Sequence, residues 1–342
     1  MIEIFIIRNY KVLREADFRL RPLTLIVGPN ASGKTTILEA IELLLRVSRD
    51  DAALHLRDGT LSRTPQGDLM LACRGRYAGE KAFFQVSLSA GDDRSFETRL
   101  GDLRPGSREY KKAIGDTVKL RFDLEKLAAP SYPKQTSLVL PPDGEGLSSI
   151  LSGLHLEHPA RFRDLVDRLR QVIPVVRDLR VRRASLDKNL VGYELLFDMK
   201  GAESVPARAV SHGTLMALGV LTVLATPNPP KLLLIDDLES GLHPKALGDL
   251  VQQLRKVQEQ DPELQIVATS HSPYLLDYLQ ADEILLTSLD EDGYAVVKSL
   301  TEHPEYERWK DLMAPGEFWS TVGEDWITKT PPEPEKSRIT AG

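Results

Sequence analysis

The chain has 342 residues, 42% of them hydrophobic and 27% charged, and carries a formal net charge of -6. That length accommodates one large domain or two modest ones with a substantial core, while the acidic balance argues against a uniformly basic nucleic-acid binder. No apolar run approaches the roughly 18 residues of a membrane span, the start MIEIFIIRNY lacks the layout of a signal peptide, and a single cysteine, Cys73, leaves no intrachain disulfide framework. A soluble cytoplasmic protein is expected.

In chain order, the apolar run at 2–7 predicts a strand, and PLTLIVG at 22–28 a second one closed by Gly28. TTILEAIELLLRV from Thr35 has helical spacing, with Ile37, Ile41, Leu44 and Leu45 on one stripe. Alternating pieces between 69 and 100 predict an antiparallel β arm. Residues 147 to about 173 read as helix, broken at Pro159 and closed by Pro174; YELLFDM follows as a strand and HGTLMALGVLTVLA (212–225) as an apolar helix. Then come a strand at 231–236, a helix at about 244–259, a strand at 264–269, a helix from Pro273 and two closing strands, EILLTSL and YAVVKSL. The end, TKTPPEPEKSRITAG, is expected to be disordered.

Chemistry enters at GPNASGKT, Gly28 to Thr35, which fits G-x-x-x-x-G-K-[ST] after a strand and before a helix. Gly28, Pro29, Asn30, Ala31, Ser32, Gly33, Lys34, Thr35 and Thr36 are therefore expected around the phosphates of a bound nucleotide. Backbone N–H groups and the helix N-terminus meet the negative charge there. Lys34 would reach the β- and γ-phosphates, and the Thr35 hydroxyl would ligate Mg²⁺.

The stretch KLLLIDDLESGLHP, 231–244, runs four aliphatics into adjacent aspartates. A carboxylate beside a buried strand is costly unless paired or on a metal, so Asp236 is expected to serve Mg²⁺ and Asp237 to orient and deprotonate the attacking water. Glu239 stays open between a role near the γ-phosphate and a solvated turn. In ATSHSP, His271 lies just past a strand, where it can hydrogen-bond a γ-phosphate.

SHGTLMAL, from Ser211, is alone only a polar cap opening an apolar helix. The order of phosphate loop, Ser-x-Gly helix, acidic strand end, GLHP and SHS, however, resembles ABC-type ATPase heads. The resemblance is to the SMC/RecF-like branch, close to the OLD-family and AAA-family defence ATPases but without the nuclease domain that OLD proteins append. It covers about residues 1–50 and 205–290, and the middle only loosely. It implies an α/β P-loop NTPase with a two-lobe head, a mostly parallel sheet, an antiparallel β arm and a helical insert. The head would span 1–290 with the insert at about 147–190, followed by a strand and tryptophan-rich segment at 291–328 and the tail at 329–342.

The resemblance also implies a mechanism. Two heads sandwich two ATP molecules, with Ser211 and Gly213 of one head touching the γ-phosphate held by the other and residues 239–243 lying across the interface. Asp237 stands where such heads usually carry glutamate and is one methylene shorter, which implies slow turnover. Leu238 replaces the usual proline. Arg8 and Asn9 fall where similar heads contact the ribose or adenine. The lobe-connecting glutamine is either Gln85 or Gln135.

The output is open between two classes. One is a switch subunit of a phage-defence or toxin–antitoxin-like system that controls a separately encoded effector. The other is a RecF/SMC-like repair ATPase that clamps DNA. The segment 161–188 favours the second, having nine basic residues against four acidic ones, although its arginines can equally be a solvated face paired to Asp164, Asp167 and Asp178. A transporter ATPase would need a fuller signature. Trp309, Trp319 and Trp326 in 307–327 either anchor a partner or fold back over the head.

Overall fold

The computed structural model describes residues 1–47, 68–77, 80–88, 96–100, 117–132, 138–187 and 190–328. The chain begins with β1 (Ile2–Tyr10) and β2 (Leu13–Arg19), an antiparallel hairpin whose turn holds Lys11 at φ 50°. β3 (Leu23–Val27) is buried at all five positions, as a strand covered on both faces must be, and leads into α1 (Lys34–Val47). β4 (Leu69–Tyr77), β5 (Glu80–Leu88) and β6 (Phe96–Leu100) extend the hairpin into a five-stranded antiparallel sheet, β2-β1-β4-β5-β6. That sheet is the arm expected between 69 and 100, enlarged by β1 and β2.

β7 (Thr117–Leu120) and α2 (Leu124–Ala128), capped by Asp123, precede the helical pair α3 (Leu147–Glu157) and α4 (Pro159–Val172). A three-stranded antiparallel sheet follows, made of β8 (Val176–Asp187), β9 (Leu190–Met199) and β10 (Ala202–Pro206). The insert expected to be helical over about 147–190 is thus helical only to Val172. Beyond it, β8 alternates Val176, Leu179 and Val181 inward with charged residues, a β pattern that the arginine-rich composition masks.

α5 (His212–Ala225), β11 (Leu232–Ile235), α6 (Pro244–Gln260), β12 (Gln265–Ser270), α7 (Pro273–Leu276), β13 (Ile284–Leu289) and β14 (Ala295–Ser299) complete the head. The central sheet runs β14-β13-β3-β12-β11-β7, parallel throughout except for β14 at one edge. Regular structure does not end at β14: α8 (Tyr306–Trp309), α9 (Pro315–Val322) and α10 (Asp325–Thr328) follow. Trp319 is 8% exposed within the main core, and Trp309 and Trp326 pack against that core. The tryptophan segment therefore folds back over the head, and the partner-anchor reading falls.

The central sheet separates two cores. Leu233 and Ile235 of β11 join α3, α4, α5 and α6 on one face, while Leu232 and Leu234 join α1 and the antiparallel sheet on the other. Period-two alternation in one strand assigns each side chain to its layer. No helix among the described residues is long and apolar enough to cross a membrane. The tail expected at 329–342 lies outside the described residues, as does Gln135.

Candidate functional site

Because β3, β11 and β12 are parallel and adjacent, their C-terminal ends deliver Gly28, Asp236 and His271 to one sheet edge, the place where open α/β sheets bind ligands. The loop Gly28–Lys34 turns tightly there. A side chain at Gly28 would meet the Thr287 carbonyl at 2.2 Å, while Gly33 takes φ 95° and Ala31 φ 64°. Ser32 Oγ lies 2.6 Å from Thr287 Oγ1, which donates to the Val27 carbonyl at 3.2 Å, so the loop is tied to β13 from beneath. Lys34 folds back so that Nζ donates to the carbonyls of Gly28 and Pro29, both at 2.8 Å. Burial lowers its pKa, against the opposing charges of Asp237, Glu239 and Asp236. Pro29, Asn30, Ala31 and Thr35 are exposed, Ser32 and Gly33 are buried, and Thr36 is half-buried.

Across from the loop, Thr35 Oγ1 donates to Asp236 Oδ1 at 3.1 Å, and Thr269 Oγ1 donates to the same oxygen at 2.6 Å. The Asp237 amide donates to Thr269 Oγ1 at 2.9 Å, so one threonine of β12 pins both aspartates. A carboxylate flanked by hydroxyl oxygens is a hard donor set that fits Mg²⁺. Asp237 takes φ 50° and, with Glu239 and His271, offers ligand atoms all within 4.8 Å of one another. Burial pushes the Asp237 carboxyl above its ordinary value, and the charges of Asp236 and Glu239 add to the rise.

Glu239, left open from sequence, turns inward: its side chain is 12% exposed, and its Oε1 accepts the His271 amide N–H at 2.7 Å. Ser211 caps α5 by accepting from the Thr214 amide. Gly213, in the first turn, lies so close to the turn after β11 that a side chain there would meet the Gly241 carbonyl at 2.2 Å.

Arg8 is held by Asp17 and Glu15, and Asn9 donates to the Asp68 carbonyl at 3.0 Å. Gln85 sits in β5 of the antiparallel sheet, donating to Ser87 Oγ. In the basic segment, Arg168 pairs with Asp164, Arg170 with Asp167 and Asp178, Arg180 with Asp198 and Arg182 with Glu194.

Three residues of the site escaped the sequence reading. Thr269 and Thr287 act across large sequence separations and look like ordinary strand residues; only the position of Thr269, two before His271, hinted at it. The third is Lys119 of β7, 3% exposed, whose Nζ has no hydrogen-bond partner among the described residues. It opposes Leu234 in register, on the α1 side of the sheet, where Asp236, Glu39 and Glu42 supply opposite charge.

A family model described as "AAA domain, putative AbiEii toxin, Type IV TA system" matches residues 23–277. An OLD nuclease from Thermus scotoductus is 25% identical over 86% of the chain, and the alignment spans 63% of that relative. Septu protein PtuA from Bacillus thuringiensis is 32% identical over 20% of the chain and 17% of its own length. Among solved structures, an Smc head bound to the C-winged helix domain of ScpA superposes with a TM-score of 0.62 at 16% identity, covering 90% of this chain and 99% of that one. An Smc head with an extended coiled coil, bound to the C-terminal domain of ScpA from Pyrococcus furiosus, gives 0.58 at 14% identity, covering 91% and 99%. These likenesses show the fold of a P-loop ATPase head.

Proposed function

The chain belongs to the family described as "AAA domain, putative AbiEii toxin, Type IV TA system", and we propose on that premise that it is an ATP-binding, slowly hydrolysing switch subunit. It forms an ATP-sandwiched homodimer and controls a separately encoded effector in a defence or toxin–antitoxin-like system. The observation that carries this reading is the gathering of the Lys34 loop, the Thr35–Asp236–Thr269 bonds and the Asp237, Glu239 and His271 side chains at one sheet edge.

In this reading the backbone of residues 28–36 cradles the phosphates and Lys34 exchanges its carbonyl partners for β- and γ-phosphate oxygens. Thr35 and Asp236 hold Mg²⁺, which when bound draws charge from the phosphoryl oxygens. Asp237 orients the attacking water and accepts its proton as the water oxygen bonds to the γ-phosphorus and ADP departs with the bridging electron pair. A carboxyl raised by burial is the better proton acceptor, but it hangs one methylene short of a glutamate's, hence the slow turnover. Ser211 and Gly213 reach the γ-phosphate of the opposite protomer.

The family description supports the toxin–antitoxin-like setting. Against a DNA clamp, four arginines of the basic segment are already neutralised by carboxylates. Steady-state ATP hydrolysis measured against protein concentration, with and without duplex DNA and with Asp237→Asn as control, tests the reading. The expected result is turnover rising more than linearly with protein, lost in the control and indifferent to DNA. Strong stimulation by DNA would favour the clamp, and turnover that survives Asp237→Asn would remove the assigned base.

A further inference from the structure

Lys119 of β7 is a charged residue that the switch reading leaves without a task, and it stands where charge is costly. The residue is 3% exposed, and its Nζ, itself buried, has no hydrogen-bond partner among the described residues. An ammonium kept for stability would be bonded on several sides, because burying it unbonded forfeits its hydration. β7 is an edge strand, and an inward-pointing charge can blunt such an edge, but the charges around Lys119 point to something more specific.

Register places it beneath Asp236. Lys119 lies opposite Leu234 in parallel pairing, and Asp236 follows two residues later, where alternation returns the side chain to the same face of the sheet. Leu234 and the Thr35 hydroxyl that bonds Asp236 both belong to the α1 side. There Asp236, Glu39 and Glu42 attract the ammonium and Arg121 repels it. Glu39 is already paired with Lys11 at 2.5 Å, and Glu42 with Arg121 at 3.3 Å. Asp236, by contrast, accepts from the neutral hydroxyls of Thr35 and Thr269 and has no ion pair among the described residues. Lys119 and Asp236 are thus a cation and an anion on one face, neither in contact with an ionic partner. Burial lowers the pKa of Lys119, while the three carboxylates favour its ammonium form.

We propose that Lys119 is an electrostatic gate on the metal position: its positive charge beneath Asp236 discourages a bare divalent cation and favours one that arrives with the negative charge of the nucleotide. The role rests on the ATP-site reading above. Two residues of strand span about 7 Å, inside the Debye length of about 8 Å at physiological ionic strength, and a buried charge is screened still less. The ammonium therefore offsets part of what the Asp236 carboxylate offers to a free ion. Towards a metal–ATP complex, whose phosphates leave it net negative, the same ammonium is attractive. Its effect reverses in sign between the two ligands, which packing alone would not produce.

The test titrates the full chain with Mn²⁺ alone, and then with Mn²⁺ and ATP together, following free Mn²⁺ by electron paramagnetic resonance. Lys119→Met should bind Mn²⁺ alone at least about tenfold more tightly than the wild type, and the Mn²⁺–ATP complex about threefold more weakly. The gain for Mn²⁺ alone should vanish in the Asp236→Asn background. An unbonded buried ammonium gives way to an apolar chain in Lys119→Met, which should melt no lower than the wild type. Lys119→Gln, the second neutral variant, should shift both affinities in the same directions as Lys119→Met. Neutral variants that bind Mn²⁺ alone no more tightly than the wild type, or that shift both ligands the same way, would overturn the proposal and leave Lys119 a residue of the sheet edge. A wild-type chain that fails to bind Mn²⁺–ATP, or binds it equally after Asp236→Asn, defeats the ATP-site reading and the gate with it. Asp236-dependent binding that ignores Lys119 defeats the gate alone.

Discussion

At φ 50°, Asp237 holds a backbone conformation that residues with a side chain rarely adopt. Such strain persists only where the surroundings impose it, and here they do: the Asp237 amide is bonded to Thr269 and the Leu238 amide to the Thr269 carbonyl. The carboxylate is consequently placed by β12 as much as by its own turn. If its short reach limits turnover, Asp237→Glu should raise kcat about tenfold without changing KM, and Asp237→Asn should abolish it. Steady-state kinetics would check both, and a slower Asp237→Glu enzyme would mean that the strained backbone already compensates for the missing methylene. Lys34, Thr35 and Asp236 were legible because loop and strand end encode them locally, glycine for the turn and a carboxylate where an aliphatic run stops. Thr269 was not, because a threonine in a strand has no local mark of the aspartates it will hold.

Among elements, α5 was read to its bounds: Ser211 caps it, and an unbroken apolar run makes it a helix buried all round. β2 was missed because LREADFR is mostly charged, although its buried positions Leu13, Ala16 and Phe18 pack into the core. Burial on one face of an edge strand leaves little sequence signal. The contact between α5 and the turn after β11 was equally illegible, since Gly213 and Gly241 show their purpose only in space. Gly213→Ala should push the two turns apart. We expect it to cut turnover at least about tenfold while the isolated chain still binds ATP normally in dialysis, because the phosphate loop does not touch that contact.

The C-terminal helices carry a pH response. His303 Nδ1 accepts the Glu305 amide at 3.0 Å, and its ring packs edge-on against Phe318 and Trp326. Burial lowers its pKa, with Glu305 opposing. A base depressed in the folded state binds fewer protons than the unfolded chain, so stability falls as pH drops from about 7 through the ordinary histidine range toward the lower folded value. Proteolysis of the segment should accelerate over that window, and His303→Gln should flatten the dependence.

For the molecule as a whole, the proposed sandwich assigns Ser211 and Gly213 to a different nucleotide from the one that Lys34 of the same chain holds. If each site takes its phosphate loop from one protomer and its Ser-x-Gly turn from the other, defects in the two halves must complement. Lys34→Ala and Ser211→Arg should each be inactive alone. Mixed in equal amounts, half of the dimers formed at random combine one of each, and each such dimer contains one intact site and one doubly defective site. Turnover should then recover to about a quarter of the wild-type value, provided one site can fire alone. Light scattering with Asp237→Asn should show ATP-dependent dimers accumulating, since that variant retains the phosphate contacts and loses the base. Mixtures as inactive as their components would mean either that each chain completes its own site, which no exchange of subunits can restore, or that the two sites of a dimer fire only together; a mixed dimer that still forms with ATP but turns over none of it would point to the second.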